Sequence, residues 1–478
     1  MKSLIKKIKQ NKLNILIMII YTIISIVILI NHEPWRDEAQ AWLIARDLNL
    51  INIYKQMYYE GHPCLWHLIL FPFAKLQFPY FTINIISYLI MWITALLILA
   101  KAPFNKFIKL IIIFQAPIIY NYSAIARNYC LIPLALVLIA NNYQCKDKIP
   151  IKYTLLILFL AWTHIIMSSM AAILSIQYFY EEIIKKRNRN KKIYLCLIIT
   201  IIGFLLYIIP IGLGASLNNN LLLSPLTESF NILKFISLKI FKNTKIIHLI
   251  IISIPIILFL LYELKYHKKN LLIFLITVSY QIYIYYNIYG ISDQRCDVFI
   301  FIILFILWIQ HNNIKNKKEY IAMIIPLLLL LIAYSYSYND ILNYDLKYPY
   351  SEAKATAKFI NKNINNNSIF ITQDMPETSA IIPYINKNQN IKFYGLEIND
   401  YFTYITWNYK KQEKLNETNL ITTITKKIKN ENNLYIIANK EKYYQYQNLI
   451  NNNYIKIIYL SNFENKETYC IYKVLKQS

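Results

Sequence analysis

The sequence predicts an all-α polytopic membrane domain followed by a small α/β domain. Three observations carry that expectation. Of the 478 residues, 56% are hydrophobic and the mean hydropathy is +0.34, above what a water-soluble domain usually shows. Several apolar runs approach the ~20 residues that a bilayer-crossing helix needs. After about residue 340 the composition turns polar and short apolar runs alternate with helical patterns.

The net charge of +25 would suggest nucleic-acid binding on a soluble protein. Here the lysines sit in short patches between apolar runs, which the positive-inside rule explains better, so no nucleic-acid partner is expected. The six cysteines contain no C-x-x-C pair, which leaves no zinc, redox or disulfide framework to propose. With only 6 glycines, Gly-x-x-x-Gly packing is not expected between spans.

In chain order, lysines precede a first run over residues 13–30. It is too long for a signal peptide and lacks a small-residue cleavage site, so it reads as a retained span with a cytoplasmic N-terminus. A polar, aromatic outer loop follows, with a helix over residues 37–48. Pro63 suits the first turn of a short tilted or interfacial helix over residues 64–76. Spans are then expected over residues 81–100, 108–120, 131–143, 153–164, 165–180, 193–210, 246–264, 271–289, 298–310 and 320–338. With the first, that makes about eleven crossings and an extracytoplasmic C-terminus. An interfacial helix is expected over residues 229–241. In the C-terminal region, helices are expected over residues 351–363 (with Ser351 as cap), 376–385 and 418–428. Strands are expected over 368–372, 391–394, 434–438 and 455–460, in a partly parallel sheet. The domain boundaries are then 1–340, with a distinctive outer loop at 31–80, and 341–478.

The chemistry-bearing residues gather on the outer side. Asp37 and Glu38 are adjacent carboxylates flanked by Trp35 and Trp42. A carboxylate held against apolar walls can act as a general base. Asp37-x-x-Gln40 equally fits a helix capping box, and one carboxylate has oxygens for both roles. Arg127 stands at the edge of an apolar run, where a charge normally has a partner. That partner is a lipid phosphate, or Asp37 or Glu38, or the arginine snorkels to the interface. Arg295 has the same choice between a phosphate and local pairing with Asp293 or Asp297. His62, His67 and His164 are outer-side residues with hydrogen-bonding roles. With Asp37 and Glu38 they offer donors for a divalent metal, though no close-spaced ligand motif supports one. Trp35 and Trp42 either stack on a sugar or belong to the interfacial aromatic belt.

Taken together, Trp35-Arg36-Asp37-Glu38-Ala39, Gly61-His62-Pro63-Cys64-Leu65-Trp66 and Ala126-Arg127-Asn128-Tyr129 resemble the glycosyltransferase-C fold. The nearest pattern is that of bacterial integral membrane glycosyltransferases akin to protein O-mannosyltransferases and lipid A aminoarabinose transferases. The likeness covers residues 13–180 well and Gln294-Arg295 weakly. Cys64 stands where the pattern usually has a second proline. The resemblance implies transfer of a sugar from a polyprenyl-phosphate donor to an extracytoplasmic acceptor at the cytoplasmic membrane. It implies that Asp37 is the base, that Glu38 orients substrate, that Arg127 and Arg295 hold the donor phosphate, and that Trp35, Trp42, His62, Tyr129 and His164 contact substrate. A transporter or flippase of lipid-linked saccharides would use the same arginines, but would be expected to show repeated halves and Gly/Pro-broken spans, and no internal repeat is evident.

Overall fold

The computed structural model describes residues 2–211, 246–285, 287, 292–337, 345–407, 433–440, 446–461 and 467–475. The helices expected over residues 229–241 and 418–428 lie outside these residues. The chain is mostly helical, with one small mixed sheet. Among the described residues five helices are long and apolar enough to cross a membrane: Lys12–Asn31, Thr82–Lys101, Lys191–Ile211, Gln294–Asn313 and Lys317–Ser335. Leu65–Lys75 and Pro150–Thr163 are shorter apolar helices, and the former matches the short helix expected after Pro63.

The chain divides into two compact units, and the division does not fall simply at residue 340. The first comprises Met1–Leu29, Gly61–Leu65 and Ile86–Asn343. The second comprises Ile30–Glu60, Trp66–Ile85 and Tyr344–Ser478, so most of the segment expected as the first outer loop folds with the C-terminal region.

In the first unit, Lys191–Ile208 and Leu131–Asn142 both pack on Pro150–Thr163, and Ile246–Tyr266 packs on Lys317–Ser337. Asn105 and Asn190 start their helices by accepting from the backbone N–H of Ile108 and Lys192, each at 3.0 Å. The expected outward run over residues 108–120 divides into Lys106–Ile113 and a π-turn at Pro117–Asn121. Gly-x-x-x-Gly spacing is absent, yet one glycine does set a close approach. A Cβ added at Gly203 would lie 2.6 Å from Leu158 Cδ2, and Trp162 Nε1 donates to the Gly203 carbonyl at 3.2 Å.

In the second unit, the strands are β1 (Ile369–Thr372), β2 (Lys392–Gly395), β3 (Asp400–Phe402), β4 (Leu434–Asn439), β5 (Ile455–Leu460) and β6 (Tyr469–Val474). Their order is β3-β2-β1-β4-β6-β5. The β2-β1-β4 centre is parallel, and β3, β6 and β5 join it antiparallel. Strand alternation sends Ile369, Ile371, Ile436, Cys470 and Tyr472 into one buried cluster. The opposite face stacks Phe370 between Phe393 and Tyr435. Burial on both faces is what a parallel centre requires. The four expected strands are present within a residue or two, and β3 and β6 are additional. The expected helix over 351–363 is Ala353–Asn363. Its positional cap is Glu352, but Ser351 Oγ accepts from Ala353 N at 3.2 Å. The expected helix over 376–385 is Met375–Ser379 followed by a 3-10 turn, Ile382–Tyr384.

The Gly203 approach is testable. Gly203→Val adds bulk where Leu158 already stands, and overpacking of this kind costs about 1–3 kcal/mol. The variant should melt at lower temperature in detergent, and Leu158→Ala in the same chain should recover much of the loss.

Candidate functional site

The chemistry-bearing residues fall into two groups, one in each unit. In the first unit the π-turn Pro117–Asn121 interrupts the run that follows the helix Lys106–Ile113, an irregularity common at functional sites. The chain then reaches Arg127, whose extended backbone (φ −131°, ψ 165°) precedes the 3-10 turn Asn128–Cys130. Arg127 Nη1 donates to Gln294 Oε1 at 3.0 Å, and its guanidinium carbon lies 5.1 Å from the centre of the Tyr129 ring. Arg295 reaches the same tyrosine from the other direction, Nε donating to Tyr129 Oη at 3.0 Å. Two guanidinium groups from distant parts of the chain therefore converge on one phenol.

The surroundings hold this arrangement. Gln294 Nε2 donates to the Asn121 carbonyl at 2.9 Å, and Asn121 Nδ2 donates to Asp297 Oδ2 at 2.7 Å. Tyr285 Oη donates to the Arg295 carbonyl at 2.7 Å. Tyr129 stacks on His164 with ring centres 4.8 Å apart, and His62 lies 6.1 Å from His164. His164 Nδ1 accepts from Ile166 N at 3.3 Å, which places the ring proton on Nε2 and makes the imidazole neutral. Of the two aspartates offered as local partners for Arg295, Asp297 is engaged by Asn121, and the Asp293 side chain lies outside the described residues. Arg127, Arg295, Tyr129, His62 and His164 are thus brought together. His67 is buried and belongs to the other unit.

In the second unit the helix Arg36–Asp47 is capped at Trp35, two residues earlier than a cap at Asp37 would require. Glu38, at the third helical position, reaches back so that Oε2 accepts from Trp35 N at 3.2 Å. The capping expectation is corrected accordingly: Glu38 supplies the carboxylate that closes the helix start, and Asp37 sits one residue ahead of it in the first turn. Glu38 has other duties. Oε2 pairs with His32 Nε2 at 3.0 Å, and Oε1 accepts from Asn84 Nδ2 at 2.8 Å. His32 Nδ1 meets Asp345 Oδ2 at 2.9 Å. His32 and Glu38 are fully buried. Burial alone would lower the imidazole's proton affinity, but Glu38 and Asp345 outweigh it and carry His32 up to about 10. It is an imidazolium clamped by two carboxylates.

Glu38 is therefore an interior structural carboxylate, and the side chain of Asp37 stays 30% exposed. Trp42 is buried against Tyr80, with ring centres 5.9 Å apart, and does not present its face to solvent. Trp35 meets Tyr350 edge-on at 5.6 Å, with the Arg36 guanidinium 5.5 Å from its ring. Arg36 also pairs with Glu377, and its backbone N–H donates to Glu467 Oε1 at 3.1 Å.

Further residues emerge that sequence reading did not single out as partners. Gln40 Nε2 donates to Glu60 Oε1 at 2.8 Å and to the Ile405 carbonyl at 2.6 Å, while its Oε1 accepts from Ile405 N at 2.8 Å. Burial raises Glu60 to about 7, with Asp37 adding to the rise against the hydrogen bonds of Gln40 and Gln56. Burial likewise raises Glu467 to about 8, against the pull of Ser351 and Arg36. Glu377, Glu467, Asp345 and Ile405 all lie hundreds of residues from their partners, and no local pattern announces such pairs. Among the described residues no three His, Cys, Asp or Glu side chains are grouped to hold a metal ion.

The signs of these shifts agree. His32, Glu60 and Glu467 all hold their protons more tightly folded than unfolded. The His32 contribution is complete below about 6.5 and is lost as pH rises through about 10. Those of Glu60 and Glu467 are complete below about 4.5 and are lost as pH rises through about 7 and about 8. The melting temperature should therefore fall steadily between pH 6 and pH 10 in a thermal scan. Glu60→Gln with Glu467→Gln should flatten the part below pH 8.5. Replacing His32 by alanine leaves two buried carboxylates without their cation, a loss of about 3–5 kcal/mol in unfolding experiments.

The chain matches no family model and no curated protein, so the functional reading rests on this chemistry and on the resemblance of its motifs.

Proposed function

We propose that the chain is a glycosyltransferase-C-like enzyme of the cytoplasmic membrane. In this reading it has about eleven spans, a cytoplasmic N-terminus and an extracytoplasmic C-terminal domain. It moves a sugar from a polyprenyl-phosphate carrier to an extracytoplasmic acceptor in the cell envelope. The observation that supports it best is the convergence of Arg127 and Arg295 on Tyr129, beside a neutral His164. Paired guanidinium groups suit a phosphate, whose oxygens accept in the planar, forked geometry that arginine offers.

In this reading the arginines neutralise the lipid phosphate as the sugar–phosphate bond breaks. Phosphate leaves as a weak base, so no general acid is required, in contrast to the two-carboxylate arrangement of glycosidases. Asp37 takes the proton from the attacking acceptor hydroxyl. Its place in the first helical turn leaves its side chain 30% exposed and reachable. A single displacement inverts the anomeric carbon. Glu38 and Trp42 act by holding the Asp37 helix in place, and Trp35, His62 and Tyr129 line substrate.

The test is transfer from radiolabelled polyprenyl-phosphate sugar in membranes. Asp37→Asn, shown to be folded by its melting profile, should lower turnover by about 10²–10⁴-fold. Arg127→Ala should raise KM for donor more than for acceptor. Undiminished turnover in Asp37→Asn overturns the base role. Donor that crosses the bilayer with its sugar still attached, and is never cleaved, overturns the enzyme in favour of a flippase.

A further inference from the structure

The second unit carries a groove that the reaction chemistry above does not use. It encloses about 440 Å³ and is lined by Lys354, Ala357, Lys358, Asn361, Lys362 and Tyr384. The three lysines recur every fourth residue on the helix Ala353–Asn363, so they lie along one face at intervals of about 6 Å. All three are exposed, and among the described residues none of their ammonium groups makes an ion pair. Like charges at this spacing repel and weaken a helix, so the row is not explained by helix stability.

The opposite wall is built rather than incidental. Asn361 Nδ2 donates to the Tyr384 carbonyl at 2.9 Å, and its Oδ1 accepts from Asn386 N at 3.0 Å. Gln389 Nε2 donates to the Asn361 carbonyl at 2.8 Å. These bonds pin the segment 384–389 along the helix. The Tyr384 ring is held in turn against Tyr80, ring centres 5.1 Å apart. At the other end the Lys354 backbone N–H donates to Glu33 Oε1 at 2.7 Å, so the groove begins at the outer loop that carries Asp37.

We propose that this groove binds a linear polymer of repeated phosphodiester groups, its successive phosphates met by Lys354, Lys358 and Lys362. The row is a linear set of point charges, which suits a polyanion whose charges repeat, and a single phosphate would engage only one or two of them. Placing the groove in the same unit as Asp37 makes such a chain the acceptor, and that last step rests on the transferase reading. Binding itself does not.

The experiment uses the full-length protein in neutral-detergent micelles and a fluorescent polyglycerol-phosphate oligomer, without donor. The oligomer should bind, and more weakly as salt is raised. A triple variant, Lys354→Gln with Lys358→Gln and Lys362→Gln, should bind at least about tenfold more weakly while melting no lower than the native protein. A control triple on the sheet, Lys392→Gln with Lys456→Gln and Lys473→Gln, removes the same charge and should stay within about twofold. Equal losses in both triples, or no loss in the groove triple, overturn the proposal. So does inorganic phosphate that competes as well as the oligomer, or groove-dependent binding only to phosphatidylglycerol vesicles. The binding assay contains no donor, so groove-dependent binding in a protein that never cleaves donor fails the transferase reading alone, and transfer without groove-dependent binding fails the groove alone.

Discussion

The second unit depends on one buried cation. His32 sits between Glu38 and Asp345 with both ring nitrogens engaged and no exposure to water. Two carboxylates and an imidazole removed from solvent are costly unless every polar atom is answered, and the network answers most of them. Glu38 takes donors from His32, Trp35 and Asn84. The geometry thereby joins three stretches that are remote in sequence: the residues just after the first long helix, the start of the helix Arg36–Asp47, and the start of the C-terminal region. An apolar contact could have joined them too, but without direction. A charged imidazole fixes the angles as well as the distances, and the helix that carries Asp37 starts where Glu38 is held.

The first unit uses another device. Its polar centre is organised by stacking and by side-chain amides. Tyr122, Tyr129 and His164 form a run of stacked rings, and the two arginines approach that run from Arg127 and Arg295. Gln294 links the approaches by accepting from Arg127 and donating to the Asn121 carbonyl. The net result is a region with two guanidinium groups and one buried carboxylate, Asp297, in which a neutral His164 adds no further charge. In the transferase proposal this region takes the donor phosphate.

Much of the architecture could be read from the sequence, because apolar length and period are local signals. The run before Asn31, the lysine-bounded helices and the strands around Ile369, Phe393, Ile436 and Ile457 all announce themselves. Strand β6 did not. Its place beside β4 depends on pairing across the whole domain, which no local pattern announces. The arginine group was legible in part, since Arg127 and Arg295 each stood out as charges beside apolar runs. Their meeting at Tyr129 was not, because nothing near either residue encodes it. The same holds for Asp345, Glu377 and Glu467. These are ordinary acidic residues in the sequence, and they acquire meaning only where the fold puts His32 and Arg36 beside them.

The adjacent acids show how far a single residue step separates roles. Asp37 and Glu38 look equivalent in the sequence, and either could have been the helix cap or the base. On a helix, neighbouring side chains point about 100° apart. With Trp35 as the capping position, the third helical residue is the one that can fold back over the helix start, and that residue is Glu38. Its longer side chain spans the return and still reaches His32. Asp37 is turned away from the clamp by the same geometry and keeps part of its surface in water. An aspartate at the third position would be too short to reach both partners, and a glutamate at the second would be freer to swing. The order Asp then Glu therefore gives, from a single dipeptide, a fully buried anion and a partly exposed one that the Arg36 guanidinium approaches at 4.0 Å.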